Sequence, residues 1–312
     1  MELIATITGS YPPLPYSASN EDSINRAIND QIDAGIDLLV DGQVESDIAG
    51  IFAGHIEGFS NRIGRYPVIK KITHQESPIT VSSFLYAKSL AQGKRFKAHL
   101  TGPTFLAQSS EVGIDSPYTK NSDSALIFDI AYALAEEAKA LTDAGAEYIQ
   151  IDEPSFAYGA NIRDGLAAIE IITKHIKHPI LHVCGDTRHI LNQLLSANVE
   201  ILSVEGQYLR RLININANKL SSNNKKIAYG CMPVNTDHIE SLRRLKREIV
   251  EAIDLYGVEN MWAITPNCGL RLIESNEKSQ KERLGLKIMK RLAEVARQVE
   301  KFVDSRENNY AN

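Results

Sequence analysis

Short β-branched, apolar runs alternate along the chain with longer segments whose apolar residues recur every three or four positions, the pattern of a parallel α/β fold. Eight runs read as strands: LIATITG (3–9), IDLLVDG (36–42), RFKAHLTG (95–102), AEYIQIDE (146–153), PILHVCG (179–185), VEILSVEG (199–206), KIAYGCM (226–232) and ENMWAITP (259–266). Ile127, Ile130, Leu134, Ala138 and Leu141 predict an amphipathic helix that stops at Asp143-Ala144-Gly145. Ile288, Leu292, Val295, Val299 and Phe302 predict a final helix. Eight strands with helices between them match a (β/α)8 TIM barrel better than an open doubly wound sheet. No G-x-G-x-x-G follows the first strand, so a dinucleotide site has no support. The interval 43–94 is too long for one helix and predicts an insertion after the second strand, a cap or hairpin on the barrel. The polar stretch 214–226 reads as a surface loop. Without a linker or repeat, residues 1–305 form one expected domain, with 306–312 a frayed tail.

Composition narrows the function classes. Of 312 residues, 43% are hydrophobic and 23% charged, which excludes wholesale disorder. Lys and Arg total 34 against 39 Asp and Glu, a net charge of -5 that argues against broad binding to nucleic acid or anionic membrane. No apolar run approaches the roughly 20 residues that span a bilayer. The opening MELIATITGSYPP lacks the basic and apolar regions of a signal peptide, so a cytoplasmic location is expected. Three cysteines, at 184, 231 and 268, are too few and too widely spaced for a disulfide framework. They remain as thiols for metal or chemistry.

In a barrel of this kind the active site forms at the C-terminal ends of the strands. The fifth strand ends in His182-Val183-Cys184, the sixth in Glu205, and the eighth leads into Cys268. Alternate strand residues share a face, so His182 and Cys184 can reach one ion. Two sulfurs, an imidazole and a carboxylate on one rim suit zinc, and thiolates select it over magnesium or calcium. Each residue alone has a plainer reading: packing for the His-x-Cys pair, an incidental loop thiol for Cys268, a helix cap for Glu205. Cys231 beside Met232 reads as packing. At the end of the fourth strand, Asp152 and Glu153 fall on opposite faces, so one of them points into the mouth. Asp152 is the candidate for a substrate ammonium group, and Glu153 for the N-terminus of the following helix. Gly9 and Ser10 end the first strand: Gly9 admits a ligand close to the backbone, and Ser10 offers a hydroxyl and an N–H to a carboxylate. His55, His74, His99, His175, His178, His189 and His238 lack comparable spacing and receive no role.

Taken in order, the motifs GSYP, LTGP, IDEP, HVCG, VEG and PNCGL resemble the catalytic domain of cobalamin-independent methionine synthase, from Gly9 to about Leu270. The resemblance implies a zinc-carrying (β/α)8 barrel that methylates homocysteine. It puts the zinc ligands on His182, Cys184, Glu205 and Cys268, and the homocysteine carboxylate and amine contacts on Ser10 and Asp152. The sequence also departs from the family. The family's second amine-binding carboxylate sits in a His-Gly-Glu motif, and the run here is Asp41-Gly42-Gln43, in which Gln43 offers an amide oxygen but no charge. Asp41 or Glu45 is a candidate to compensate. A family His thought to assist proton transfer after the seventh strand corresponds to Asn235, and the Asp of Pro-Asp-Cys-Gly-Leu to Asn267.

These departures suggest a different methyl donor. Methyltetrahydrofolate has a nitrogen leaving group that must be protonated, whereas a methyl-cobalt bond releases Co(I) without a proton. The short chain therefore reads as an archaeal-type core methionine synthase that takes its methyl group from a methylcobamide, carried on a corrinoid protein. Two alternatives stay open. One is a methylcobamide:coenzyme M methyltransferase, whose sulfonate substrate calls for a basic residue; the other is a non-catalytic barrel with structural zinc. A glycosidase reading rests on Asp152 and Glu153 alone.

Overall fold

The computed structural model describes residues 1–12, 14, 19–60, 66–209, 215–234, 239–273 and 278–310, the side chains of 278–283 and 307–310 excepted. Asn235 and His238 lie outside the described residues. Eight parallel strands form the sheet: β1 (Ile4–Ala5), β2 (Leu38–Leu39), β3 (Arg95–Thr101), β4 (Tyr148–Asp152), β5 (His178–Val183), β6 (Ile201–Glu205), β7 (Lys226–Met232) and β8 (Met261–Pro266). Neighbours in sequence pair in order, β8 pairs with β1, and a parallel bridge from Thr6 to Leu38 joins β1 to β2. The sheet thus closes on itself, with helices around it, as a TIM barrel. Regular pairing in β1 and β2 covers only two residues each.

The barrel interior is graded. At its lower end Ile4, Leu38, Ile180, Ile201, Ala228 and Ala263 form an apolar plug separate from the main core. That main core lies between the outer faces of the strands and the helices. Above the plug the interior turns polar. In β3, Phe96, Ala98 and Leu100 alternate with Lys97, His99 and Thr101. The polar three reach across the interior to β4 or to the loops after β1 and β2, and all three are buried.

The helix over Ser124–Asp143 buries Ile127, Ile130, Leu134, Ala138 and Leu141, and Gly145 follows with φ +87°. Asp123, Asn161 and Ser241 accept backbone N–H bonds as N-caps of the helices they precede. The last helix runs from Lys278 to Tyr310, past Ser305. Its apolar stripe departs from expectation at one position. Val303 continues the buried face, and Phe302 is 36% exposed under the cationic ends of Lys246 and Arg306. The polar stretch 214–226 is also not wholly a loop. Ala217–Ser222 forms a helical turn capped by Asn216 and pinned by the buried Leu220.

The insertion after β2 contains a helical turn (Gly50–Ala53), an antiparallel pair (Glu57–Phe59 with Tyr66–Thr73) and a helix (Val81–Leu90). Ser110–Val112, from beyond β3, adds a third strand to that pair. Glu137, fully buried on the Ser124–Asp143 helix, fastens this unit to the barrel. Its carboxylate accepts from Gln75 Nε2, Ile79 N, Thr80 N and Thr80 Oγ1. Four donors offset the cost of burying the charge. Among the described residues no helix is long and apolar enough to cross a membrane.

Candidate active site

Parallel register brings the site together. Thr101 pairs with Asp152, Asp152 with His182, and His182 with Ser203, so β3 to β6 present one row at the same height. Cys184 follows one residue beyond β5, and Cys268 lies on the turn after β8. The donor atoms of His182, Cys184 and Cys268 all lie within 4.8 Å of one another, the one such group among the described residues. Val183, between the first two, is fully buried on the opposite face.

The donor set fits zinc on several grounds. His182 Nδ1 lies 3.0 Å from Ser203 Oγ, and His182 Nε2 is buried without a hydrogen-bond partner. An Nδ1–H given to Ser203 leaves the Nε2 lone pair free for a cation. The Cys184 and Cys268 thiols lie side by side, and their interaction holds the Cys268 thiol below its ordinary value and pushes Cys184 above it. Two sulfurs thus lie beside an unpartnered imidazole nitrogen, and a soft cation satisfies all three.

Glu205 stands outside this trio. Its Oε1 accepts from Gly185 N at 2.7 Å, and its Oε2 from Gln207 Nε2 at 2.8 Å and Asn267 Nδ2 at 3.1 Å. Asn267 here donates to Glu205, which an ionised Asp could not do. Cys231 is buried in the core away from the trio, its Sγ 3.7 Å from Thr265 O.

A cavity of about 200 Å³ opens over the trio and is lined by Gly9, Ser10, Gln43, Asp47, Asp152, His182, Cys184, Cys268 and Arg271, among others. Asp152 is buried at its floor. Gln150 Nε2 donates to Asp152 Oδ1 at 2.7 Å and Gln43 Nε2 to Oδ2 at 3.3 Å. Burial raises the Asp152 carboxyl, and neighbours including His182, Gln150 and Lys97 oppose that rise. Gln43 occupies left-handed backbone, φ +46°, uncommon for a residue with a side chain. Its carbonyl is held by Arg271 Nη2 at 2.6 Å, and its N–H by Asp41 Oδ1 at 3.0 Å.

Several sequence expectations change here. Gly9 makes room for a side chain as well as any ligand, since a Cβ there would sit 2.5 Å from Gln43 Oε1 and displace it. Neither Asp41 nor Glu45 compensates beside Asp152. Both line a smaller cavity on the far side of Gln43, where Glu45 accepts from Ser83 Oγ and burial lifts Asp41 to about 6. Asp152 and Glu153 do diverge as expected, but Glu153 serves the helix Pro103–Gln108 after β3 rather than the one following it. Its two oxygens accept from Thr104 N at 2.7 Å and Phe105 N at 3.0 Å.

Three cationic or titratable side chains without an expected role also stand in or beside the site. Lys97 Nζ donates to Gln150 Oε1 at 2.5 Å, and burial brings this amine down to about 7 against the pull of Asp152. His99 Nε2 lies 2.7 Å from Thr8 O, and burial holds its imidazole well below the ordinary value. Arg271 reaches the cavity from the turn after β8. The alternation Lys97, His99, Thr101 in a barrel strand was the available signal for the first two; Arg271 carries none in a loop.

The family described as the cobalamin-independent synthase catalytic domain matches residues 11–295. The methionine synthase of Methanocaldococcus jannaschii is 33% identical over 301 residues, spanning 87% of this chain and 93% of that one. That of Methanothermobacter thermautotrophicus is 31% identical over 293 residues, spanning 86% and 94%. Among solved structures, a B12-independent methionine synthase from Shewanella sp. W3-18-1 in complex with selenomethionine shares the fold, with TM-score 0.76 at 21% identity, covering 96% of this chain and 98% of that one. The chain belongs to the family of cobalamin-independent synthase catalytic domains.

Proposed function

We propose that the chain transfers a methyl group to the thiol of homocysteine, forming methionine, at a zinc site held by His182, Cys184, Glu205 and Cys268. The observation that carries this reading is the meeting of the His182–Cys184–Cys268 trio with the buried Asp152 in one cavity. Zinc held there would supply the positive charge that keeps a substrate sulfur as thiolate, where a free thiol near pKa 8.5 is mostly protonated at neutral pH.

The protein's own groups orient the acceptor. Asp152 takes the ammonium group, with the amide oxygen of Gln43 in place of a second carboxylate, and Ser10 takes the carboxylate. Glu205 would complete the zinc ligand set and would be the ligand to yield to substrate; its oxygens now accept from Gly185, Gln207 and Asn267. Holding the sulfur against the incoming methyl carbon replaces an improbable encounter by an oriented one. Its lone pair forms the new S–C bond, the thiol proton leaves to solvent, and the donor departs with the electron pair of the broken bond.

We assign the donor to a methylcobamide on a corrinoid protein. The neutral Asn267 supports this, since Co(I) leaves without a proton and the corresponding acid is dispensable. X-ray absorption at the zinc edge tests the site. Adding homocysteine should raise the sulfur count by one at the expense of an oxygen; an unchanged spectrum would favour structural zinc.

A further inference from the structure

We infer that Arg271 binds the carboxylate of the acceptor, so that the cavity reads its substrate at three points: sulfur, ammonium and carboxylate. This rests on the methyl-transfer reading above and names a specificity residue within it. Among the described residues lining the cavity, Arg271 is the one Lys or Arg. Its backbone N–H donates to Ser10 O at 3.1 Å, which joins it to the residue expected to meet the same carboxylate. Gly269 makes that approach possible, since a Cβ there would lie 2.0 Å from Ser10 Oγ.

The guanidinium has donors to spare. Nη1 donates to Ser46 O at 2.5 Å and Nη2 to Gln43 O at 2.6 Å, both backbone carbonyls that carry no charge. Nε is buried and has no partner. Among the described residues no carboxylate lies at ion-pair distance. The nearby Asp47 spends its oxygens on Ala49 N, Gly50 N and Tyr66 Oη. A partly buried guanidinium on the wall of a ligand cavity, with one N–H on each Nη still unspent and no ion-paired carboxylate, is a receptor for an anion. The acceptor's carboxylate is the anion for which the rest of the site has no charged partner. Asp152 and Arg271 then stand as opposite poles matched to a zwitterionic thiol.

Zinc-loaded wild type, Arg271→Gln and Arg271→Lys are compared with homocysteine and with 3-mercaptopropylamine, the same thiol without its carboxylate. The readouts are kcat/KM and calorimetric binding. Because both acceptors are measured on each preparation, partial misfolding cancels from their ratio. Arg271→Gln should lower the preference for homocysteine roughly 10- to 100-fold, the value of a charged hydrogen-bond partner, through KM and binding. Arg271→Lys should keep part of it. An unchanged ratio, or an equal loss in kcat for both thiols, overturns the assignment and leaves methyl transfer standing. A wild type that binds and methylates neither thiol overturns the methyl-transfer reading and this inference with it.

Discussion

Gln43 Nε2 donates to Asp152 Oδ2 across 3.3 Å, linking the loop after the second strand to the end of the fourth. The bond is made from left-handed backbone that Arg271 and Asp41 hold in place. Gln43 thus spends an amide N–H on Asp152, a bond that a carboxylate at this position could not make.

Gln43→Glu should restore the second negative charge toward an ammonium group. The expected result is a homocysteine KM lower by about tenfold, equivalent to roughly 1.4 kcal/mol, with kcat little changed. Steady-state kinetics check it. A raised KM would show that Gln43 acts through its bond to Asp152 and not through the charge it lacks.

Lys97 is the counter-charge to Asp152 inside the barrel, joined to it through Gln150. Lys97→Met should cost about 1–3 kcal/mol of stability by leaving Gln150 Oε1 without its donor and removing a positive charge facing Asp152. Adding Asp152→Asn should recover part of that loss. Denaturant unfolding of the double-mutant cycle measures the coupling, and strictly additive losses would contradict it.

Burial lifts the Glu153 carboxyl from 4.5 to about 7 despite its bonds to Thr104 and Phe105. The folded chain thus holds this proton more tightly than the unfolded chain. The contribution to stability is full below the unfolded value and is lost as pH rises through about 7. The loss is at most about 3 kcal/mol. Glu153→Gln should flatten the fall in stability between pH 5 and pH 8 measured by urea unfolding; an unchanged slope would place the proton elsewhere.

Cys184→Ser should remove zinc and turnover together, because the trio loses one of its two sulfurs. Metal analysis of the purified variant checks it. Zinc retained at the wild-type ratio would count against Cys184 as a ligand.

The barrel and the trio were legible in the sequence for one reason: strand period and barrel polarity together fix which residues reach the rim. His182, Cys184 and Cys268 follow from that rule alone. The polar interior was less legible. Lys97 and His99 alternate with Phe96, Ala98 and Leu100, which marks the inward face but not the partners they meet across the interior. Glu153 was placed on the wrong helix, since a strand end touches the loop of its spatial neighbour as readily as its own. Arg271 depends on how two loops meet across the mouth, which neither period nor spacing encodes. Phe302 was misplaced because Val303, one position on, continues the buried stripe from Val299.

The central claim is methyl transfer to homocysteine from a cobamide donor at this site. The direct measurement is methionine formed, by mass spectrometry, when the zinc-loaded protein is given homocysteine with methylcobalamin or with methyltetrahydrofolate. Methionine from methylcobalamin, and little from methyltetrahydrofolate, is the predicted result. No methionine from either donor, or a preference for the folate, would contradict it.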